Sequence, residues 1–290
     1  MEGKIPEVDD KALRMLLTKI KQKYGCDFSR YRQGTIKRRI YKRLLVSGIG
    51  DCQTYLQLLE GDLEEYKRLV QDLTIKVSCF FRDPYVFECM ARVVIPTIIA
   101  TKGEQNDHTI RIWSAGCAYG EEIYSVAILL KDYFGKKHKD IKAYDLFLLG
   151  TDIDEKALSK ARRAIYEEEA VLEVKKRFLD QYFIYKNGLY HLKEEIKNMV
   201  TFCWHDITSS KQIAPPSGVV CNYDLILCRN LLIYFDISLQ KQVILKLYQS
   251  LNSGGYLVLG EAETLLKEFE PFFEIFSSEA KIYRKKENIE

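Results

Sequence analysis

The sequence predicts an α/β protein: a parallel sheet wound with helices, closed by an antiparallel hairpin and preceded by a small all-helical domain. Three observations carry that reading. From Thr109 onward, short runs rich in β-branched and aromatic residues alternate with helical stretches, the pattern of strand–helix–strand units. Before Leu73, apolar residues recur at helical spacing. Polar residues gather at the carboxyl ends of the predicted strands and are sparse within them, as expected of an open sheet that binds a ligand along that edge.

The chain has 290 residues, 47% of them hydrophobic and 29% charged, which is the composition of an ordinary globular protein with material for two modest domains. No apolar run approaches the roughly 18 to 20 residues that a membrane span needs, and the start, MEGKIPEVDD, has no signal-peptide core, so a cytoplasmic location is expected. Cys26, Cys52, Cys79, Cys89, Cys117, Cys203, Cys221 and Cys228 are scattered without CxxC spacing, so free thiols are expected and no metal site. A net charge of only +3 gives no whole-molecule argument for nucleic-acid binding.

The helical domain is expected over 1–75. Leu13, Leu16, Leu17, Ile20 and Tyr24 fall on one helix face, with Asp10 able to cap it. Gly25, Gly48 and Gly61 read as stops and Asp51 and Asp62 as fresh starts, so four short helices are expected. A linker and active-site loop is expected over 76–90, with Asp83-Pro84 restarting a helix as N-cap and first-turn proline. The α/β domain then occupies 91–290. Its predicted strands are TIRIWSAG, YDLFLLGTD, VTFCWHD, YDLILCRN and GYLVLGE, with helices over 121–134 and 155–165 and a closing hairpin of FFEIF and KIYRKK. Between 171 and 198 the rhythm breaks: QYFIY, a turn at Asn187-Gly188 and LYHL predict an inserted β-hairpin. APPSG at 214–218 is a plain loop.

The loop WSAGCAYGEE carries Gly116 and Gly120 straight into a helix, which departs from the GxGxxG spacing of dinucleotide sites. Glu121 and Glu122 at that helix start would repel a pyrophosphate and suit a neutral or cationic ligand. Asp152, at the end of the second strand, is placed to accept from ribose hydroxyls, whereas Asp154 is the better helix cap. A nucleoside without a pyrophosphate, with a positive centre near an acid, describes S-adenosylmethionine.

Taken together in this order, VSCFFRD, WSAGCAYGEEIYS, GTDID, LCRNLLIYF and GGYLVLGEAETL resemble the CheR-type chemotaxis receptor methyltransferases over nearly the whole chain. The resemblance implies a Rossmann-like methyltransferase sheet with a terminal antiparallel hairpin and a small inserted β-subdomain, preceded by a small all-α domain. It implies S-adenosylmethionine as cofactor, with S-adenosylhomocysteine as product. Glu122 would contact the amino end of the methionine moiety and Asp152 the ribose; Asp206 and Ile207 would flank the adenine, and Arg229 and Asn230 would line the same pocket. Lys76 and Ser78 would help to hold the cofactor, although Lys76 stands where the family often has asparagine and Tyr119 where it often has a small hydroxyl residue. Arg82 and Tyr234 would stand beside the transferred methyl group as the catalytic pair.

A glutamate carboxylate is already ionised at neutral pH and a sulfonium is already an activated leaving group, so no general base is required and His205 is not expected to be one. The segment FSRYRQGTIKRRIYKRLL concentrates Arg30, Arg32, Lys37, Arg38, Arg39, Lys42 and Arg43 around one short helix whose buried face is Ile36, Ile40 and Leu44. Either it is a solvated face, or Arg38, Arg39 and Arg43 form a footprint for an acidic partner, for which the resemblance implies the cytoplasmic signalling helices of methyl-accepting receptors. The expectation is therefore a monomer that esterifies receptor glutamates, binds no nucleic acid and does not insert into the membrane. The short YKNGLY turn points to an enzyme that needs no receptor tether. Rival readings are a cofactor-binding regulatory module without catalysis and a nucleic-acid methyltransferase. The second is disfavoured because CRNLL lacks the proline-containing motif common where base amino groups are methylated.

Overall fold

The computed structural model describes residues 9–24, 27–73, 78–137, 140–209 and 222–287. Gly25, Lys76, the 214–218 loop, Cys26, Cys221 and the side chain of Tyr24 lie outside the described residues. The chain divides into two units, one of 1–75 with 234–242 and one of 76–233 with 243–290, so the helical unit recruits a piece of chain from far along the sequence.

In the helical unit, α1 (Asp10–Tyr24), α2 (Gln33–Ser47), α3 (Cys52–Gly61) and α4 (Leu63–Leu73) are the four helices expected from the spacing. Leu13, Leu16, Leu17 and Ile20 are buried, as are Ile36, Ile40 and Leu44 on α2. Asp51 accepts from the amides of Gln53 and Thr54, and Asp62 from that of Glu65, so both act as N-caps. Gly48 ends α2 in the left-handed region with φ 69°. The cap of α1 is Asp9 and not Asp10: Asp9 Oδ1 accepts from Lys11 and Ala12 at 2.7 and 2.9 Å, while Asp10 lies inside the helix and pairs with Lys37. Within this unit the Arg32 amide donates to the Tyr234 carbonyl at 2.8 Å, and Tyr31 bridges to Phe235.

The second unit opens with α5 (Pro84–Cys89), a π-helical turn (Met90–Val94) and α6 (Ile95–Glu104) in one continuous run. Pro96 explains the π turn, because it has no amide to return to the preceding turn and the Ile95 amide reaches back to Met90 instead. Contrary to the sequence expectation, this run is long and apolar enough by itself to span a membrane, but Val86, Phe87, Met90, Val94, Ile95 and Ile99 lie in the unit's core. Asp83 does not cap α5 through its side chain; it sits at φ 58° and its carboxylate is taken by an arginine described below.

There follow β1 (Thr109–Ala115), α7 (Glu121–Lys136), β2 (Asp145–Asp152) and α8 (Glu155–Arg163), then the short elements β3 (Ile165–Tyr166), α9 (Glu168–Val171), α10 (Lys176–Tyr182), β4 (Phe183–Lys186), β5 (Leu189–Leu192) and α11 (Glu194–Lys197). The chain ends with β6 (Val200–Trp204), β7 (Tyr223–Cys228), α12 (Ile237–Ser250), β8 (Leu251–Leu259), β9 (Phe273–Ser277) and β10 (Ile282–Lys285). The main sheet has seven strands in the order β6-β2-β1-β7-β8-β10-β9. Its first five are parallel, and β10 runs antiparallel to both neighbours, the closing hairpin of the expected Rossmann-like sheet. The strand order reverses between β1 and β7, which sets the switch point at their carboxyl ends. The insertion is larger than a hairpin: β5 pairs with both β4 and β3, a strand of two residues that is too short to give a periodic signal.

Candidate cofactor site

The loop between β1 and α7 is shaped by two glycines. Gly116 has φ 77° and a Cβ there would stand 3.1 Å from the Leu231 side chain, while Gly120 has φ 89° and a Cβ would stand 2.8 Å from Phe202. Only glycine lets the backbone turn there and stay in contact with its neighbours. The turn delivers Glu121 and Glu122 to the first turn of α7, where the helix dipole favours acids.

Glu122 is held from two sides: Ser114 donates to one oxygen at 2.8 Å and Arg229 approaches the other at 3.3 Å. Burial raises its carboxyl above the usual range, and the Arg229 charge and the Ser114 bond oppose that rise. Arg229, just past the end of β7, also donates to the Arg82 carbonyl at 3.0 Å and to Asp83 at 2.5 Å. Its side chain is 2% exposed, and its guanidinium lies 5.4 Å from the Phe87 ring. One arginine thus pins the Arg82 segment to the acid at the start of α7. Arg229 was expected to line the pocket; its two terminal nitrogens bond to protein partners, which makes it an organiser of this edge, while its buried Nε has no partner among the described residues.

Asp152 at the end of β2 accepts from the Ala118 amide at 3.0 Å and the Asp154 amide at 2.9 Å, which ties the glycine loop to the next strand end. Asp154 caps α8 through the amides of Lys156 and Ala157. Past β6, Asp206 accepts from the Thr208 amide and hydroxyl at 2.9 and 2.6 Å, and the Ile207 carbonyl accepts from Lys246 at 2.9 Å. Asn230 has φ 57° and is fixed through its amide, which donates to Glu263 at 2.9 Å. Ser78 is half-buried on the segment that leads to Arg82.

The structure therefore brings Ser78, the Arg82 backbone, Glu122, Asp152, Asp206, Ile207, Arg229 and Asn230 to the strand ends of one unit. Tyr234 falls in the helical unit, and Lys76 lies outside the described residues. On α2, Arg38 is exposed and Arg39 half-buried. Arg43 corrects the reading of the basic helix as a footprint: it is 9% exposed and turned inward, with Nε and Nη2 on the two oxygens of Glu65 at 2.6 and 2.5 Å and Nη1 3.3 Å from Asp72. Arg43 lies three and seven residues after the buried Ile40 and Ile36, on the inward face of α2, so it pairs within the core.

Glu263, Ser114 and Lys246 were not singled out from the sequence. Glu263 is 4% exposed and accepts from three backbone amides, those of Gly260, Asn230 and Ile233, at 2.7, 2.9 and 3.2 Å. The signal that finds it is the rule already used for the other strands, a polar residue just past a strand's carboxyl end.

The donors and acceptors suit a nucleoside with a cationic arm. Three carboxylates, the part-buried Glu122 and the buried Asp152 and Asp206, follow successive strands, and a doubly anionic pyrophosphate would be repelled there.

The comparisons with known proteins agree. Residues 76–282 match the model described as "CheR methyltransferase, SAM binding domain" and residues 11–74 the one described as "CheR methyltransferase, all-alpha domain". A Pseudomonas putida protein that bears the name methyltransferase Cher3 is 31% identical over 288 residues, covering 95% of this chain and 97% of that one. The chemotaxis protein methyltransferase of Escherichia coli is 28% identical over 262 residues, 88% of this chain and 85% of that one. An uncharacterized 104.1 kDa protein of Rhodobacter capsulatus is 32% identical over 258 residues, but this chain spans only 26% of its length. With both domain models matched in order along the sequence, the chain belongs to the CheR methyltransferase family and is an S-adenosylmethionine-dependent methyltransferase.

Proposed function

We propose that this enzyme esterifies glutamate side chains on the cytoplasmic signalling helices of chemotaxis receptors, and so works in the cytoplasm. The observation that carries the reading is the Arg229 clamp, which holds the Arg82–Asp83 segment against Glu122 at the switch point of the sheet. When bound, S-adenosylmethionine supplies a methyl group on a positively charged sulfur. Glu122 offers a part-buried carboxylate for the cofactor's amino end, and Asp152, oriented by two amides, offers its carboxylate for ribose hydroxyls.

The acceptor carboxylate needs no base, since a glutamate is ionised at neutral pH. What it needs is orientation and loss of water. Arg82 is half-buried, its backbone fixed by Arg229, and its planar guanidinium suits a carboxylate in one orientation. Tyr234 would add a single hydrogen bond. Arg38 and Arg39 on α2 are the cations assigned to receptor contact, with Arg43 now excluded.

The test is transfer of radiolabelled methyl from S-adenosylmethionine to receptor-rich membranes, followed by alkaline release of volatile methanol, with Arg82→Ala alongside. Base-labile label that vanishes in the variant is expected. Cofactor binding with no transfer to matched receptors would sink the reading.

A further inference from the structure

Lys246 on α12 is a buried cation that the proposed chemistry leaves unused. It is 6% exposed and shares the inward side of the helix with Val243 and Leu247. Its Nζ donates to the Ile207 carbonyl at 2.9 Å and to the Ser209 carbonyl. Both carbonyls belong to the turn that follows β6, whose other bonds are internal. The Ser209 amide donates to the Asp206 carbonyl at 3.1 Å, and Asp206 Oδ1 accepts from the Thr208 amide and hydroxyl at 2.9 and 2.6 Å. Asp206 Oδ2 takes no hydrogen bond from the described residues. Lys246 thus ties the turn to α12 from 39 residues beyond Ile207.

We propose that Lys246 is a positioning residue that fixes the 206–209 turn and thereby sets the preference of the site for adenine over other purine bases. The inference rests on the reading of Asp206 and Ile207 as the adenine-flanking pair and deepens it. An ionised Asp206 can only accept, so its Oδ2 suits an exocyclic amino group, which donates, and repels a carbonyl oxygen in the same place. Such discrimination requires the carboxylate to be held in one orientation. The internal bonds hold Asp206 against Thr208 and Ser209, but they move with the turn; the two bonds from Lys246 hold the turn itself.

A lysine is costly to bury, and burial pushes its ammonium below the usual range while the nearby Asp206 charge opposes that fall. Two carbonyls on one ammonium offset the cost. They also orient two peptide units of the turn, one of them directly after Asp206 and the other at its far end. An apolar residue would fill the same place on α12 without holding either carbonyl.

Calorimetric titration of the full chain with S-adenosylhomocysteine and with S-inosylhomocysteine, in which a carbonyl oxygen replaces the exocyclic amino group of the base, tests this. Wild type is expected to prefer the adenine ligand by about ten-fold or more. Lys246→Met keeps most of the stem and removes the ammonium. In that variant the affinity for S-adenosylhomocysteine is expected to fall about ten-fold, and the preference between the two ligands to shrink to about two-fold. A loosened fold weakens both ligands alike and leaves their ratio unchanged, so the ratio separates positioning from stability. Lys246→Gln, whose amide ends a bond short of the ammonium's place, gives the same comparison if the methionine variant does not fold. A wild-type ratio retained in the folded variant overturns the proposal. Equal binding of the two ligands by wild type removes the adenine reading of Asp206 and the inference with it, while leaving the cofactor assignment in place.

Discussion

Replacing Arg43 by methionine tests whether the basic helix is a surface or a staple. The methionine keeps most of the stem volume and removes the guanidinium, leaving Glu65 3% exposed with its two oxygens deprived of bonds at 2.6 and 2.5 Å. Breaking a buried ion pair from one side costs about 3 to 5 kcal/mol. Glu65 keeps the Tyr55 hydroxyl at 2.9 Å and a longer contact with the exposed Arg68 at 3.4 Å, so the lower end, about 3 kcal/mol, is expected. The pH dependence has a definite sign. The Glu65 carboxyl is held below its usual range by Arg43 and Tyr55 against the opposing effect of burial, so its stabilisation is complete above the unfolded value and is lost as pH falls through the lowered one. In Arg43→Met burial acts unopposed by that cation, the carboxyl rises, and the gap between variant and wild type narrows in acid. Urea unfolding by far-UV circular dichroism measures the loss, and hydrogen exchange of α2 and α4 amides locates it. A loss below about 1 kcal/mol with unchanged exchange refutes the argument, and loss of receptor methylation alone would return Arg43 to the surface.

Two further outcomes are expected of the site. Arg229→Met should weaken S-adenosylhomocysteine binding by about ten-fold or more, because the Arg82 segment loses its tie to α7 and the Glu122 carboxyl, already raised by burial, rises further; calorimetry at two pH values checks the loss and its increase toward acid. Glu263→Ala should cost about 2 to 4 kcal/mol in urea unfolding, since three amides lose one acceptor, whereas Glu261→Ala, an exposed neighbour, should be near neutral.

Much of this protein was legible without coordinates. The alternation of β-rich runs and helical stretches determined the wound sheet, because side-chain periodicity is a local property that each segment carries by itself. The glycine loop, Asp152 and the residues after β6 and β7 could be placed at one edge by the same reasoning, since a parallel sheet puts every strand's carboxyl end on the same side. Local rules also found the caps Asp51, Asp62 and Asp154, and missed at Asp9 and Asp83 only where a neighbouring acid or a distant arginine competed.

What tertiary structure decided were the partners of charges. Arg43 and Arg38 lie on one helix with the same residue type, and nothing local says that one faces Glu65, twenty-two residues away, and the other faces water. Arg229 was placed at the pocket by its position after a strand; only the fold shows that its terminal nitrogens reach Glu122, Asp83 and the Arg82 carbonyl, 107, 146 and 147 residues distant. The strand-end rule points to Glu263, but its role needed the fold: the amides of Asn230 and Ile233 reach it only when β7 and β8 lie side by side. A buried charge must find its complement wherever the chain brings one, and that pairing is a property of the packed molecule rather than of any segment.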